Sequence, residues 1–174
     1  MKAFIAKIDF FDPDRWPVLS APYKRNPVSE QDNITHVALQ LGEDGLAILV
    51  GSRSGRTAHH HKRKLLGMIR CHMALYETRK VVNTKLVTSA HFTRADGDFR
   101  MPYCVPFSQL WVCRPPLKDA LLACGDELVD QNNRRAFFLK LTDQQAAKAT
   151  DMIRRLSGPP KNLPRPGQGF IRDI

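Results

Sequence analysis

Between Leu46 and Cys71 the chain reads LAILVGSRSGRTAHHHKRKLLGMIRC. Two apolar, strand-like pieces flank a loop that carries Arg53, Arg56, His59, His60, His61, Lys62, Arg63 and Lys64 and no acid. Three chemistries suit such a set: a metal centre, a rim for phosphates, and a plain solvated loop. Zinc sites draw spaced ligands that converge from two elements, and three adjacent histidine side chains cannot all face one ion. The four cysteines, Cys71, Cys104, Cys113 and Cys124, form no C-x-x-C pair. No metal and no cofactor is therefore expected. A lysine and arginine cluster holds phosphates without reading sequence. Arg53, Arg56, His59, Lys62, Arg63 and Lys64 are the residues expected to hold a nucleic-acid backbone, with the solvated loop left open as the alternative.

The second chemistry is stacking. Trp16, Tyr23, Phe92, Tyr103, Phe107 and Trp111 are candidates to hold an unpaired base on an aromatic face. Trp16 and Tyr23 lie in a proline-rich stretch, where a core role is less automatic. Phe107 and Trp111 fall around a strand start, a place that favours the core. Ser52 and Ser54 flank Arg53 at a strand end and offer hydroxyls, or else simply make a glycine-serine turn. Motifs for serine hydrolysis, nucleotide phosphates or zinc proteolysis are absent from the sequence.

Composition bounds these readings. The 174 residues suit one domain with its own core. Twenty-seven Lys and Arg against 17 Asp and Glu give a net charge of +10. That excess in so small a chain points to a polyanion, nucleic acid before an anionic membrane surface. Apolar runs are too short to span a bilayer, and acids with Pro13 follow the first apolar segment, unlike a signal peptide. The cysteines sit in apolar segments and read as buried thiols of a reducing compartment, so a cytoplasmic protein is expected.

Positioning falls to short elements. KAFIAKIDF (Lys2 to Phe10) reads as a buried strand, and the stretch through Asn33, with four prolines, as loop. Strands are expected at THVALQL, LAILV, KLLGMIRCHMAL, TKLVTSAHF, RMPYCVPF, SQLWVCRP and RRAFFLKL, with Gly67 marking a bulge or a close backbone approach. PLKDALLACG reads as a short helix. Thr142 and Gln145 form a capping box ahead of a helix with Ala146, Ala149, Ile153 and Leu156 on one face. Residues 157–174, rich in Pro and Gly, read as a mobile tail beyond a domain of residues 1–156. Many strands with two late helices predict an α+β fold around a strongly bent, barrel-like mixed sheet.

The order of these pieces resembles the EVE domains, PUA-like folds related to the YTH readers of modified bases. PYKRNPV supplies an aromatic with an Arg-Asn pair, LAILVGSRS a strand ending in a serine motif, and KLLGMIRC an apolar-Gly-apolar strand; LWVCRPPLKDALL and NNRRAFFLKLTDQQAAKATDMI follow in order. The resemblance implies a PUA-like fold and a base pocket that would include Trp16, Tyr23, Arg25, Asn26, Ser52, Ser54 and Trp111. It implies a reader of a modified or extruded base, in DNA before RNA, that acts alone or recruits an effector protein. Two alternatives stay open: a hydrolase of modified nucleosides of the related ASCH type, and a basic module that meets an acidic protein.

Overall fold

The computed structural model describes residues 2–20, 27–87, 92–118 and 138–174. Nine strands and four helices lie among them: β1 (Ala3–Ile8), β2 (Val18–Ser20), α1 (Pro27–Leu41), β3 (Leu46–Gly51), β4 (Leu65–Cys71), β5 (Ala74–Glu77), α2 (Thr78–Val81), α3 (Thr84–Val87), β6 (Tyr103–Leu117), β7 (Phe138–Lys140), α4 (Asp143–Ser157), β8 (Lys161–Asn162) and β9 (Phe170–Asp173). The strand order is β7-β1-β3-β4-β6-β5-β9, with β2 and β8 also paired to β6. The α+β class is as expected. The closed barrel is not: β7 and β9 end an open path and do not pair with each other. No described helix is long and apolar enough to cross a membrane.

The chain divides into two compact units that interleave in sequence. The first comprises Met1–Phe11, Asp44–Arg70 and Gln109–Leu163. Here β1 runs parallel to β3, pairing Ala3 with Leu46 through Ile8 with Gly51, and antiparallel to β7. Strand β3 is an unbroken apolar run and buried throughout, and β1 is buried and apolar from Ala3 to Ala6 before Lys7 interrupts it, as suits strands covered on both faces. Helix α4 supplies one cover, laying Ala146, Ala149 and Ile153 on a core of Ala3, Ile5, Leu46, Ile48, Val50, Leu65, Met68, Trp111 and Cys113. Its capping box is formed as the sequence implies: the Gln145 amide donates to Thr142 Oγ1, and the Thr142 amide donates to Gln145 Oε1. Leu156, expected on the apolar face, is instead exposed, while Thr150 takes a buried place by returning its hydroxyl to the Ala146 carbonyl. Gly67 marks a close approach, since a Cβ there would lie 2.2 Å from the Trp111 carbonyl oxygen.

The second unit comprises Asp12–Glu43, Cys71–Ser108 and Pro164–Ile174. THVALQL, expected as a strand, is the end of helix α1. Alternation at Val37, Leu39 and Leu41 suggests a strand, but one residue earlier Ile34 opens a helical pattern. Ile34, Val37, Ala38 and Leu41 are buried and Leu39 is 58% exposed. Gly42 stops the helix in the left-handed region at φ 66°, its amide donating to the Ala38 carbonyl. The segment TKLVTSAHF opens as the short helix α3 rather than a strand. RMPYCVPF and SQLWVCRP merge into the single strand β6, which runs through Pro116 where a helix start was expected; the rest of that expected helix lies outside the described residues.

The tail is not free. Asn162 and Lys161 pair with Gln109 and Leu110 within the first unit. In the second, β9 pairs with β5 from Ala74–Asp173 to Tyr76–Phe170. Its prolines and glycines serve as turns between short paired strands, and Gly158 and Gly169 take positive φ.

Candidate functional site

Strands β1 and β3 are parallel, so their carboxyl ends lie together, Ile8 beside Gly51. The chain leaves β1 at Asp9 and leaves β3 into the basic loop. The Ser52 amide extends the ladder by donating to the Ile8 carbonyl at 2.9 Å. The loop then closes on itself. The Gly51 amide donates to the Lys64 carbonyl at 3.0 Å, the Arg63 amide donates to the Gly51 carbonyl at 2.8 Å, and the His61 and Lys62 amides return to the Ala58 carbonyl. Gly51 is required, because a Cβ would sit 1.8 Å from the His61 carbonyl oxygen. Arg63 takes a left-handed φ of 59°, turning the chain into β4.

Side chains fix the first half of the loop. Ser52 and Ser54 both donate to Asp9 Oδ1, the latter at 2.8 Å, and Thr57 Oγ1 lies 3.4 Å from the same oxygen. A serine hydroxyl has one proton and two lone pairs. With its proton on Asp9, Ser52 accepts from the Ser54 amide at 3.0 Å and from Thr57 Oγ1 at 2.7 Å. Ser54 likewise gives its proton to Asp9 and accepts from the Arg56 amide at 3.2 Å. The two serines are thus brought together, but in this arrangement neither has a proton left for a base edge. Asp9 was not singled out by sequence reasoning; its one signal is a lone acid directly after a buried strand.

The cations face outward. Arg53, Arg56, His59, His60 and Arg63 are exposed, and Lys62 and Lys64 half-buried. The His60 and His61 rings meet at 4.1 Å, tilted by 58°, and Phe11 meets His61 edge-on at 6.0 Å. Partial burial first, then His60 and Lys64, hold the His61 pKa below its usual value. Among the described residues, no group of three or more His, Cys, Asp or Glu could hold a metal ion. Over the full sequence the first unit's segments hold seventeen Lys and Arg against eight acids, and the second unit's ten against nine. The positive excess belongs almost wholly to the unit that carries the loop.

Trp16 belongs to the second unit, is 6% exposed and stacks on Phe92 at 4.2 Å, so one face of its ring is taken. Trp111 is buried in the first unit's core, and Phe107 is buried in the second unit. Tyr23, Arg25 and Asn26 lie outside the described residues. The described cysteines are free thiols. Burial pushes Cys104 up to about 12 and Cys113 up to about 11, and raises Cys71 further still with Cys104 beside it. None of the three is a nucleophile near neutral pH.

No family model matches the chain, and no curated protein matches it. Two solved structures are similar along most of its length. The protein Atu2648 from Agrobacterium tumefaciens is 12% identical, with 94% of this chain and 100% of that one covered and a TM-score of 0.39. Human THYN1, solved in complex with DNA containing 5-methylcytosine, is 10% identical, with 88% and 98% covered and a TM-score of 0.42. Likeness at this level establishes neither a shared site nor a shared activity.

Proposed function

We propose that this protein binds nucleic acid, with the loop from Ser52 to Lys64 as its phosphate-holding rim. One observation carries the reading: the loop presents Arg53, Arg56, His59, Lys62, Arg63 and Lys64 without an acid among them, on a backbone closed by its own hydrogen bonds. A rim already shaped in the free protein loses little entropy when it meets a polyanion. Its cations release counterions from the phosphates they neutralise, so affinity falls steeply with salt. The finer reading, capture of a modified or extruded base, in DNA before RNA, rests on the resemblance to the EVE domains. Recruitment of an effector protein is the corresponding biological role.

The test is a salt titration of binding to duplex DNA. For B-DNA the slope of log K against log salt is about −0.9 for each phosphate neutralised. Replacing Arg63 and Lys64 together with Ala weakens binding to all sequences alike and lowers that slope by about two contacts. A double variant that binds as tightly as the parent at low salt removes the loop from the interface. The finer reading adds a second comparison, in which a duplex with one modified base is held more tightly than the plain duplex of the same sequence.

A further inference from the structure

We propose that Asp9 is the positioning residue of the basic loop: its carboxylate, a negative charge in the midst of a cationic surface, strengthens binding to a polyanion by fixing the loop's shape. This inference rests on the reading of the loop as a phosphate rim. By charge alone Asp9 is misplaced, since an acid beside the rim repels phosphate. The geometry gives it another task. One oxygen, Oδ1, takes the hydroxyl protons of Ser52 and Ser54, and Thr57, 3.4 Å from that oxygen, joins the set by donating to Ser52, so three positions spread over the first half of the loop are tied together. Hydroxyl bonds to an ionised carboxylate are about twice as strong as neutral ones. With their protons committed there, Ser52 and Ser54 turn lone pairs toward the Ser54 and Arg56 amides and tie the backbone that carries Arg53 and Arg56. Asp9 itself follows directly on strand β1, whose Ile8 carbonyl accepts from Ser52. The carboxylate thereby couples the loop to the sheet.

Charge and shape predict opposite signs for one substitution. Asp9→Ala makes the protein one unit more positive, and if charge alone mattered it would bind DNA more tightly with a steeper salt slope. If Asp9 positions the loop, Asp9→Ala binds about tenfold more weakly, because several long cationic side chains and their backbone must now be ordered on binding. Its salt slope is also shallower. Asp9→Asn keeps an oxygen acceptor at the same place and falls between the parent and Asp9→Ala. Ser54→Ala leaves the charge untouched, removes one tie, and weakens binding by a smaller factor.

A second readout needs no nucleic acid. Arg53, Arg56, Lys62, Arg63 and Lys64 are trypsin sites, and a fixed loop resists cleavage. Limited trypsin digestion of Asp9→Ala is expected to cut first within the loop, at a temperature where circular dichroism still reports a folded protein, while the parent loop stays intact. If Asp9→Ala unfolds, Ser54→Ala carries the same two measurements. Tighter binding by Asp9→Ala, or a loop no more readily cut in it than in the parent, overturns the inference. Failure of the parent to bind DNA in a salt-dependent way sinks the proposed function instead, and the digestion still decides whether Asp9 fixes the loop.

Discussion

The basic loop of the first unit and the C-terminal segment of the second both have the composition of irregular, solvated chain, yet each is held in place by different means. The C-terminal segment pairs its one acid with an arginine of its own. Arg165 pairs with Asp173, lies 5.0 Å over the Phe170 ring and donates to Tyr76 Oη, while the Tyr76 hydroxyl donates to the Pro166 carbonyl. Strand β9 completes the attachment. In the loop the ties run through hydroxyls, amides and one carboxylate. Under the proposed function the C-terminal arginine serves the fold, whereas the cations of one sign on the pre-shaped loop serve a polyanion. The balance of seventeen to eight in one unit and ten to nine in the other repeats the contrast at larger scale.

The largest expected effect falls in the second unit. Trp16→Ala removes a buried indole from its stack on Phe92 and should cost about 3–5 kcal/mol of stability, the range for large aromatic truncations in cores. Urea unfolding measures it. At a temperature where the variant stays folded, modified and plain duplexes should be affected alike. A stable variant that loses affinity only for modified DNA would return Trp16 to a base-reading role and blur the division drawn between the units.

Gly51→Ala comes next. The added methyl must displace the His61 carbonyl from 1.8 Å, which should cost about 1–3 kcal/mol as an overpacking change and shift the rim. Stability and DNA affinity should fall together. Gly169→Ala is its counterpart in the C-terminal segment, with φ at +77° and the Lys80 Cβ at 2.8 Å. It should lower stability by a similar amount and leave the affinity of the folded protein unchanged. Equal losses of affinity in both would erase the contrast between a binding loop and a structural one.

Charge removal is milder and separates the two cleanly. Arg165→Ala takes away an exposed ion pair and a ring contact, so only a small loss of stability is expected. Its effect on the salt slope should be smaller than that of either Arg63→Ala or Lys64→Ala, measured in the same titration. A slope change in Arg165→Ala as large as in Arg63→Ala would mean that the C-terminal segment also meets phosphate.

The first unit was largely legible in the sequence. Its strands β1, β3 and β4 are mostly apolar runs, Gly67 marked a backbone approach that exists, and the Thr142–Gln145 box is local chemistry that survives tertiary context. Helix α1 was misread because Val37, Leu39 and Leu41 satisfy a strand's period over a short window, and only Ile34 breaks the tie. Strand β9 was missed because its four residues, FIRD, are too short to show a period and follow a Gly- and Pro-rich stretch, while pairing to a distant strand supplies what local sequence lacks. The basic residues could be named from composition alone. Asp9 could not, since its role depends on two parallel strands ending side by side, a fact of topology.

The smallest effect is the dependence on pH. Burial, then His60 and Lys64, lower the His61 pKa in the folded protein. The unfolded chain therefore takes up this proton at higher pH than the folded one does. Stability rises with pH wherever the unfolded state binds more protons. The contribution of neutral His61 is intact above the unfolded value of about 6.5 and is lost as the pH falls below it toward the folded pKa. His61→Gln removes the titration. Urea midpoints for parent and variant at pH 7.5 and pH 5.5 should show the parent losing more on acidification, by a margin kept small because the ring is only partly buried. The C-terminal segment contains no histidine, so His61→Gln should alter the acid sensitivity of trypsin cleavage in the loop and leave cleavage near Arg165 and Arg172 as it was. An identical acid loss in parent and variant would mean that His61 gains its proton as freely in the fold as in the open chain, and that the loop around it is looser than its hydrogen bonds imply.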